Sequence, residues 1–541
     1  MTRLLVLGLD GATFDLLLPW AEQGVLPTFA SLLAGGTAAE LRSVPNMNTA
    51  PAWTTFMTGK NPGQHGIFWF AEEGDKPGTV RFVNGADRRA QTIWKLLSDA
   101  GKRVASVNVP LTFPAEAVNG VQLCGFDAPS TSSPGFSHPP EAIRELEADN
   151  GMYVLHAAVS HHANAGRLTK VVDAALEAEE TRVKAALQVL DREPWDVFMY
   201  MVKSTDQVAH HAWEYDTSDQ QWMKPVYEYA DQVLARFLER VGPDCGVIVM
   251  SDHGMGWRQP AVEFLNDVLA QLGYVRRTDQ ARRGTTWRLH RLARRLGART
   301  RGWLKRRLPG VYARFGYQVR FGGIDWSATR AYCDDSRSCV WVNLRGRNPN
   351  GIVDPEDYEA LVEDLREVLL NLTDPETGEK VVASVWRPHE IYSGPYTERA
   401  PDLQIDWRYD RPVTGLTYEG RLGQAHSARP AKGFMHKLTG AHRRHGVLVT
   451  HGPQFKAGAV LDDVGLEDVA PTILHLAGVP VPDDMDGRVI LEALADHHAA
   501  RPVVSTAVNG HIDDDELAAA PVYTAGEEAE VEDRLRSLGY L

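Results

Sequence analysis

LLVLGLDG, residues 4–11, decides how this chain folds. Residues 4–9 are apolar without the alternation of a half-exposed strand, and the run stops at Asp10 and Gly11. Such a run suits a strand buried on both faces, the usual situation in a parallel sheet. An acid at its carboxyl end stands where open α/β sheets carry their ligands. The likeness to a secretion leader is superficial, because the run is short and lacks a small-residue cleavage site.

Runs of the same kind recur at 104–109, 197–202, 246–250 and 446–449. Helical patterns separate them at 91–100, 168–190 and 226–241. This alternation predicts an α/β fold, a mostly parallel sheet with helices on both faces.

At 541 residues the chain exceeds what one core usually needs, so one large elaborated domain or two to three domains are expected. Hydrophobic residues at 43% and charged residues at 24% are ordinary for a soluble globular enzyme. No apolar run is long enough to span a bilayer, and a cytoplasmic protein is expected. Cys124, Cys245, Cys333 and Cys339 lack metal-type CxxC spacing and are expected to be free thiols.

The net charge of −14 is unevenly spread. Residues 276–307 hold 13 Arg or Lys against one acid, a local +12, which leaves −26 for the rest. Leu289, Leu292, Leu296 and Trp303 follow a helical period among these arginines, so 276–308 is expected to be a basic amphipathic helix or helix pair. Packing on a core, attraction of an anionic substrate and contact with anionic lipid headgroups all fit it. The expected organisation is a catalytic core in two parts, 1–275 and 385–500. An insertion or cap over 276–384 interrupts it, and an acidic tail with a short helix follows over 501–541.

Five further features carry chemistry. NTAPAWTTFMTGKNPGQHGI, residues 48–67, places Thr49 ahead of Pro51 at a turn into a helix, where a hydroxyl can act as a nucleophile beside backbone N–H groups. STDQVAHHAW sets Asp206 and His210 four apart, on one face of a helix. SDHG offers Asp252 and His253 on a strand-to-loop turn, and TGAHRRHG offers His442. Asp10 completes the set. Each has a plain reading as well: a cap for Thr49, a surface pair for Asp206 and His210, an N-cap for an acid after a strand. Carboxylate oxygen with imidazole nitrogen is a donor set for zinc or manganese-like ions, and the absence of thiolates argues against structural zinc.

In this order the motifs resemble the alkaline phosphatase superfamily, in its type I phosphodiesterase/nucleotide pyrophosphatase branch. The matching motifs are LDG at Asp10, TxPxxTTxxTGxxPxxHGI from Thr49, DxxxH at Asp206, DHG at Asp252 and GxH at His442. The resemblance extends from about residue 4 to about residue 490, where DVAPTILHLAGVP also matches. It implies an alkaline-phosphatase-like sheet and two divalent ions, zinc before manganese, roughly 4 Å apart. Asp10, Thr49, Asp252 and His253 would hold one; Asp206, His210 and His442 would hold the other. The implied activity is hydrolysis of phosphoric esters, diesters or nucleotide pyrophosphates first, through a covalent phosphothreonine at Thr49 that water releases.

There are departures. Phe70 stands where those enzymes carry a phosphate-holding asparagine, and Ala52 where they have another Asn. Trp53 replaces the arginine of the sulfatase pattern, and Thr49 its modifiable residue. A phosphonate hydrolase or phosphomutase-like activity at the same site is the nearest alternative, and a non-catalytic membrane- or partner-binding relative is a third. The expected partner is a small phosphoester substrate, with an anionic membrane contact through 276–307 as a further option. The overall acidity speaks against a stable nucleic-acid partner. His65 is expected to shape a turn, His211 to point off the metal face, and His445 to be the rival of His442. Lys203 and Ser204, just ahead of Asp206, could face a substrate.

Overall fold

The computed structural model describes residues 3–73, 80–157, 159–213, 221–278, 324–333, 337–409, 413, 415–418, 438–507 and 523–538. The basic segment expected over 276–308 lies outside these residues beyond its first three.

Eleven strands position the site, in chain order: β1 (Leu4–Leu9), β2 (Thr37–Arg42), β3 (Val104–Val109), β4 (Gly120–Cys124), β5 (Ser137–His138), β6 (Val197–Val202), β7 (Gly246–Met250), β8 (Gly254–Trp257), β9 (Gly440–Arg443), β10 (His445–His451) and β11 (Val464–Gly465). Nine of them form one sheet in the order β11-β2-β10-β7-β1-β6-β3-β4-β5. β1 runs parallel to β6 and β7, and β3 runs parallel to β6 and β4. Every residue of β1, β3, β6 and β7 is buried, which is why these strands read as unbroken apolar runs. β10, one of those runs, is antiparallel to both β7 and β2. β8 and β9 make a separate antiparallel pair that sets Met255 opposite His442.

Helix α1 (Thr49–Thr58) is buried at all ten positions. The Asn48 side chain caps its start, and Gly59 ends it at φ 66°, a left-handed conformation that glycine adopts without strain. The ring of Trp53 presses α1 onto β1 at Gly8, where a Cβ would meet it at 2.5 Å. Helices α2 (Leu168–Arg192), α3 (Ser204–Ala212) and α4 (Lys224–Val241) follow.

A second hydrophobic cluster includes residues from Ala261 to Leu416 and so crosses the expected boundaries at 275/276 and 384/385. Its four-stranded sheet joins Ala331–Cys333, Cys339–Val342, Leu403–Trp407 and Val382–Trp386. The terminal helix α5 (Ala525–Leu538) returns to the main core, where Arg534 donates to the carbonyls of Phe126 and Pro129 at 2.8 Å each. Among the described residues no helix is long and apolar enough to cross a membrane. All four cysteines are buried free thiols.

Candidate active site and metal centre

Parallel strands deliver the acids to one edge. Asp10 follows β1 directly, Asp252 lies two residues beyond β7, and Asp206 sits in the first turn of α3 after β6. All three are fully buried. β9 brings His442 from far along the chain.

Around Asp206 three donor atoms converge. Its Oδ1 lies 3.1 Å from His210 Nε2 and 3.3 Å from His442 Nε2, and the two Nε2 atoms are 3.0 Å apart. His210 Nδ1 lies 3.2 Å from the Gly440 carbonyl, and His442 Nδ1 bonds the Met47 carbonyl. A carbonyl only accepts, so each Nδ1 carries the proton, and in the neutral rings both Nε2 lone pairs face the carboxylate. Met47 adopts a left-handed φ of 47° where it presents that carbonyl. Such a conformation is costly outside glycine and points to a functional constraint.

A second group forms around Asp10. His253 Nε2 is 3.2 Å from Asp252 Oδ2, 3.7 Å from Asp10 Oδ1 and 3.1 Å from Thr49 Oγ1. His253 Nδ1 gives its proton to the Gly254 carbonyl at 3.0 Å, so the Thr49 hydroxyl donates to Nε2. The His253 and His442 rings stack with centroids 3.6 Å apart. Asp206, His253 and His442 form one group with donor atoms mutually within 4.8 Å, and Asp10, Asp252 and His253 form another. His253 belongs to both, so the two groups adjoin.

The donor set fits divalent cations. Ligands about 2.0–2.2 Å from a tetrahedral ion sit roughly 3.4 Å apart, close to the spacing around Asp206 Oδ1. Asp10 Oδ1 and Asp252 Oδ2 are buried without a hydrogen-bond partner among the described residues. Burial pushes the Asp10 carboxyl up to about 7, against the pull of the Lys203 ammonium. Burial, with Asp10 and Asp206 nearby, holds Asp252 well above the usual carboxylate range. Asp206 goes the other way: burial raises it, but Lys203 and His210 outweigh that and hold it well below. Burial lowers both His253 and His442, keeping their lone pairs available.

Two residues tie this centre to the core. Lys203 Nζ lies 3.0 Å from Asp10 Oδ2 and 2.5 Å from Asp206 Oδ2. Glu179 of α2, fully buried, accepts the backbone N–H groups of Lys203 and Ser204 at 2.9 Å each, together with the Tyr200 hydroxyl and the Arg182 guanidinium. It thus satisfies the start of α3, whose positive end favours an anion. Periodicity shows Glu179 only as one acid in a long helix; nothing in its spacing marks it.

The start of α1 differs from expectation. Ala50 N–H goes to Asn48 Oδ1 at 3.2 Å, Ala52 N–H to Asn48 O at 3.0 Å, and Pro51 has none. The helix spends these amides on its own cap. Phe70 is buried, with its ring 5.8 Å from that of Phe126. His65 holds a turn: Ile67 N–H donates to its Nδ1 at 3.2 Å, and its Nε2 meets Thr55 Oγ1 at 3.0 Å. His445 is largely exposed and faces Glu40 at 3.9 Å. His211 is buried and belongs to neither donor group.

The sequence model of the type I phosphodiesterase / nucleotide pyrophosphatase family matches residues 4–410. No curated protein matches. Among solved structures, phosphonoacetate hydrolase from Sinorhizobium meliloti 1021, in complex with phosphonoformate, superposes with a TM-score of 0.53 at 15% identity, covering 88% of this chain and 95% of that one. Human ectonucleotide pyrophosphatase / phosphodiesterase 5 gives 0.45 at 13% identity, covering 88% and 95%. At such identities the likeness to the hydrolase shows a shared fold, the alkaline-phosphatase-like α/β architecture.

Proposed function

This chain belongs to the type I phosphodiesterase / nucleotide pyrophosphatase family, and is a hydrolase acting on phosphoester bonds; from that premise we propose that it cleaves phosphodiester or nucleotide pyrophosphate bonds with Thr49 as nucleophile. The observation that carries this reading is the Thr49 hydroxyl, 3.1 Å from His253 Nε2 at the junction of two donor groups.

Asp10, Thr49, Asp252 and His253 would hold one divalent ion, and Asp206, His210 and His442 the other. Bound there, zinc or manganese would acidify the Thr49 hydroxyl and offset charge on the phosphoryl oxygens. Zinc is favoured by a mixed imidazole and carboxylate donor set. Thr49 Oγ1 gives up its proton and attacks phosphorus, forming an Oγ1–phosphorus bond as the bond from phosphorus to the leaving oxygen breaks; the leaving oxygen takes that electron pair and ends with the released proton. Water then breaks that bond and returns the hydroxyl, with net retention at phosphorus. Carbonyls of Gly440, Met47 and Gly254 fix the three imidazoles so that Nε2 faces the centre. A cytoplasmic location is part of this proposal and is supported by the four free thiols.

The test is turnover of bis-p-nitrophenyl phosphate by purified protein, with elemental analysis of the same sample. Chelator-sensitive turnover with bound divalent metal is expected. A protein that binds no divalent metal and, with zinc or manganese supplied, turns over no diester, pyrophosphate, monoester or phosphonoacetate would sink the reading.

A further inference from the structure

Lys203 stands inside the centre but outside the ligand set. Its side chain is 3% exposed, and its ammonium touches one carboxylate from each group, Asp10 and Asp206. It therefore sits between the two donor groups. Its position is built: Glu179 receives its backbone N–H, and the Phe126 ring lies 4.5 Å beneath its Nζ.

The N–H groups of Ala50 and Ala52 in α1 go to Asn48, and the side chain of Phe70 is a hydrocarbon ring. Among the described residues, Lys203 is the lysine or arginine paired with these acids.

We propose that the Lys203 ammonium is a substrate-binding group, which takes a non-bridging oxygen of the phosphoryl group that Thr49 attacks. This rests on the two-ion reading of the site. With every carboxylate ionised, as metal binding requires, three carboxylates and one lysine give the centre −2 with neutral imidazoles. Two divalent ions turn that into +2, and Lys203 supplies one of those charges. Without it, the loaded centre presents half the positive charge to an anion in a water-poor site, where each charge counts most.

The experiment compares the full-length wild type with Lys203→Met and Lys203→Arg in two calorimetric titrations. The first adds zinc or manganese to the metal-free protein; the second adds orthophosphate to the metal-loaded protein. Lys203→Met is expected to bind the metal at least as tightly as the wild type, because a competing cation has left the carboxylates. Its phosphate affinity is expected to fall about 10- to 100-fold, the scale of one charge-assisted hydrogen bond. Lys203→Arg keeps the charge and should stay within a few-fold of the wild type. Unchanged phosphate affinity in Lys203→Met overturns the proposal. So does loss of metal and phosphate together, which marks Lys203 as a structural strut. If Lys203→Met does not fold, Lys203→Gln carries the same comparison. A wild type that takes up no divalent ion fails at the first titration and overturns the two-ion reading, and this one with it.

Discussion

The Nε2 atoms of His210 and His442 face each other at 3.0 Å although 232 residues separate them in the chain. Each ring commits its Nδ1 proton to a carbonyl, so neither holds the other by a hydrogen bond in its neutral form. A shared cation would resolve the repulsion. Adding divalent metal to the apo protein should raise its melting temperature, by about 2.7 kcal/mol of stability at a hundred times Kd. Alanine at His210 or His442 should remove most of that gain. A melting curve indifferent to metal would count against the centre.

Thr49 Oγ1 bonds to His253 and sits at the head of a buried helix. Thr49→Ala should cost on the order of 1 kcal/mol of stability, the net worth of one hydrogen bond. Turnover should fall roughly a thousandfold or more, as removal of a nucleophile does elsewhere. Thr49→Ser should keep part of it. Near-wild-type rates from the alanine variant would place the nucleophile elsewhere.

Asp10 is raised to about 7 and Asp252 is raised with it, so the folded apo protein binds protons there that the unfolded chain releases near pH 4. The sign follows: their stability contribution is fully present below pH 4 and is lost as pH rises through about 7. Asp206, held low, acts oppositely, and only below pH 4. Protons also compete with metal, so metal affinity should rise across pH 4–7. Metal titrations at several pH values check this; affinity that is flat over that window would contradict it.

Glu179 and Arg182 are a buried ion pair at 3.0 Å. Glu179→Ala strands the guanidinium and frees the start of α3, at a cost of about 3–5 kcal/mol. It should lower the melting temperature and, because α3 carries Asp206 and His210, weaken metal uptake as well. A variant that melts early but binds metal normally would separate Glu179 from the centre.

Gly8 accepts the Trp53 ring against β1. Gly8→Ala should force α1 outward, at a cost of about 1–3 kcal/mol, the usual range for an overpacked core. Turnover should fall too, since Thr49 leads that helix. Wild-type kinetics from a folded Gly8→Ala protein would show that α1 tolerates the shift.

The sequence by itself determined five strands of the main sheet, those at 4–9, 104–109, 197–202, 246–250 and 446–449, the helices at 91–100, 168–190 and 226–241, and the residue types at the strand ends. Buried parallel strands leave unbroken apolar runs, and a four-residue spacing such as Asp206 and His210 is fixed by the helix repeat. It could not show that Lys203 lies between Asp10 and Asp206, that Glu179 receives the start of α3, or that Asn48 takes the N–H groups of Ala50 and Ala52 just after Thr49. Nor could it show a second core reaching from Ala261 to Leu416. Only the tertiary structure decided these, because each depends on distances between side chains and backbone groups that local pattern does not encode. Glu179 is one acid among many until the fold buries it against two N–H groups.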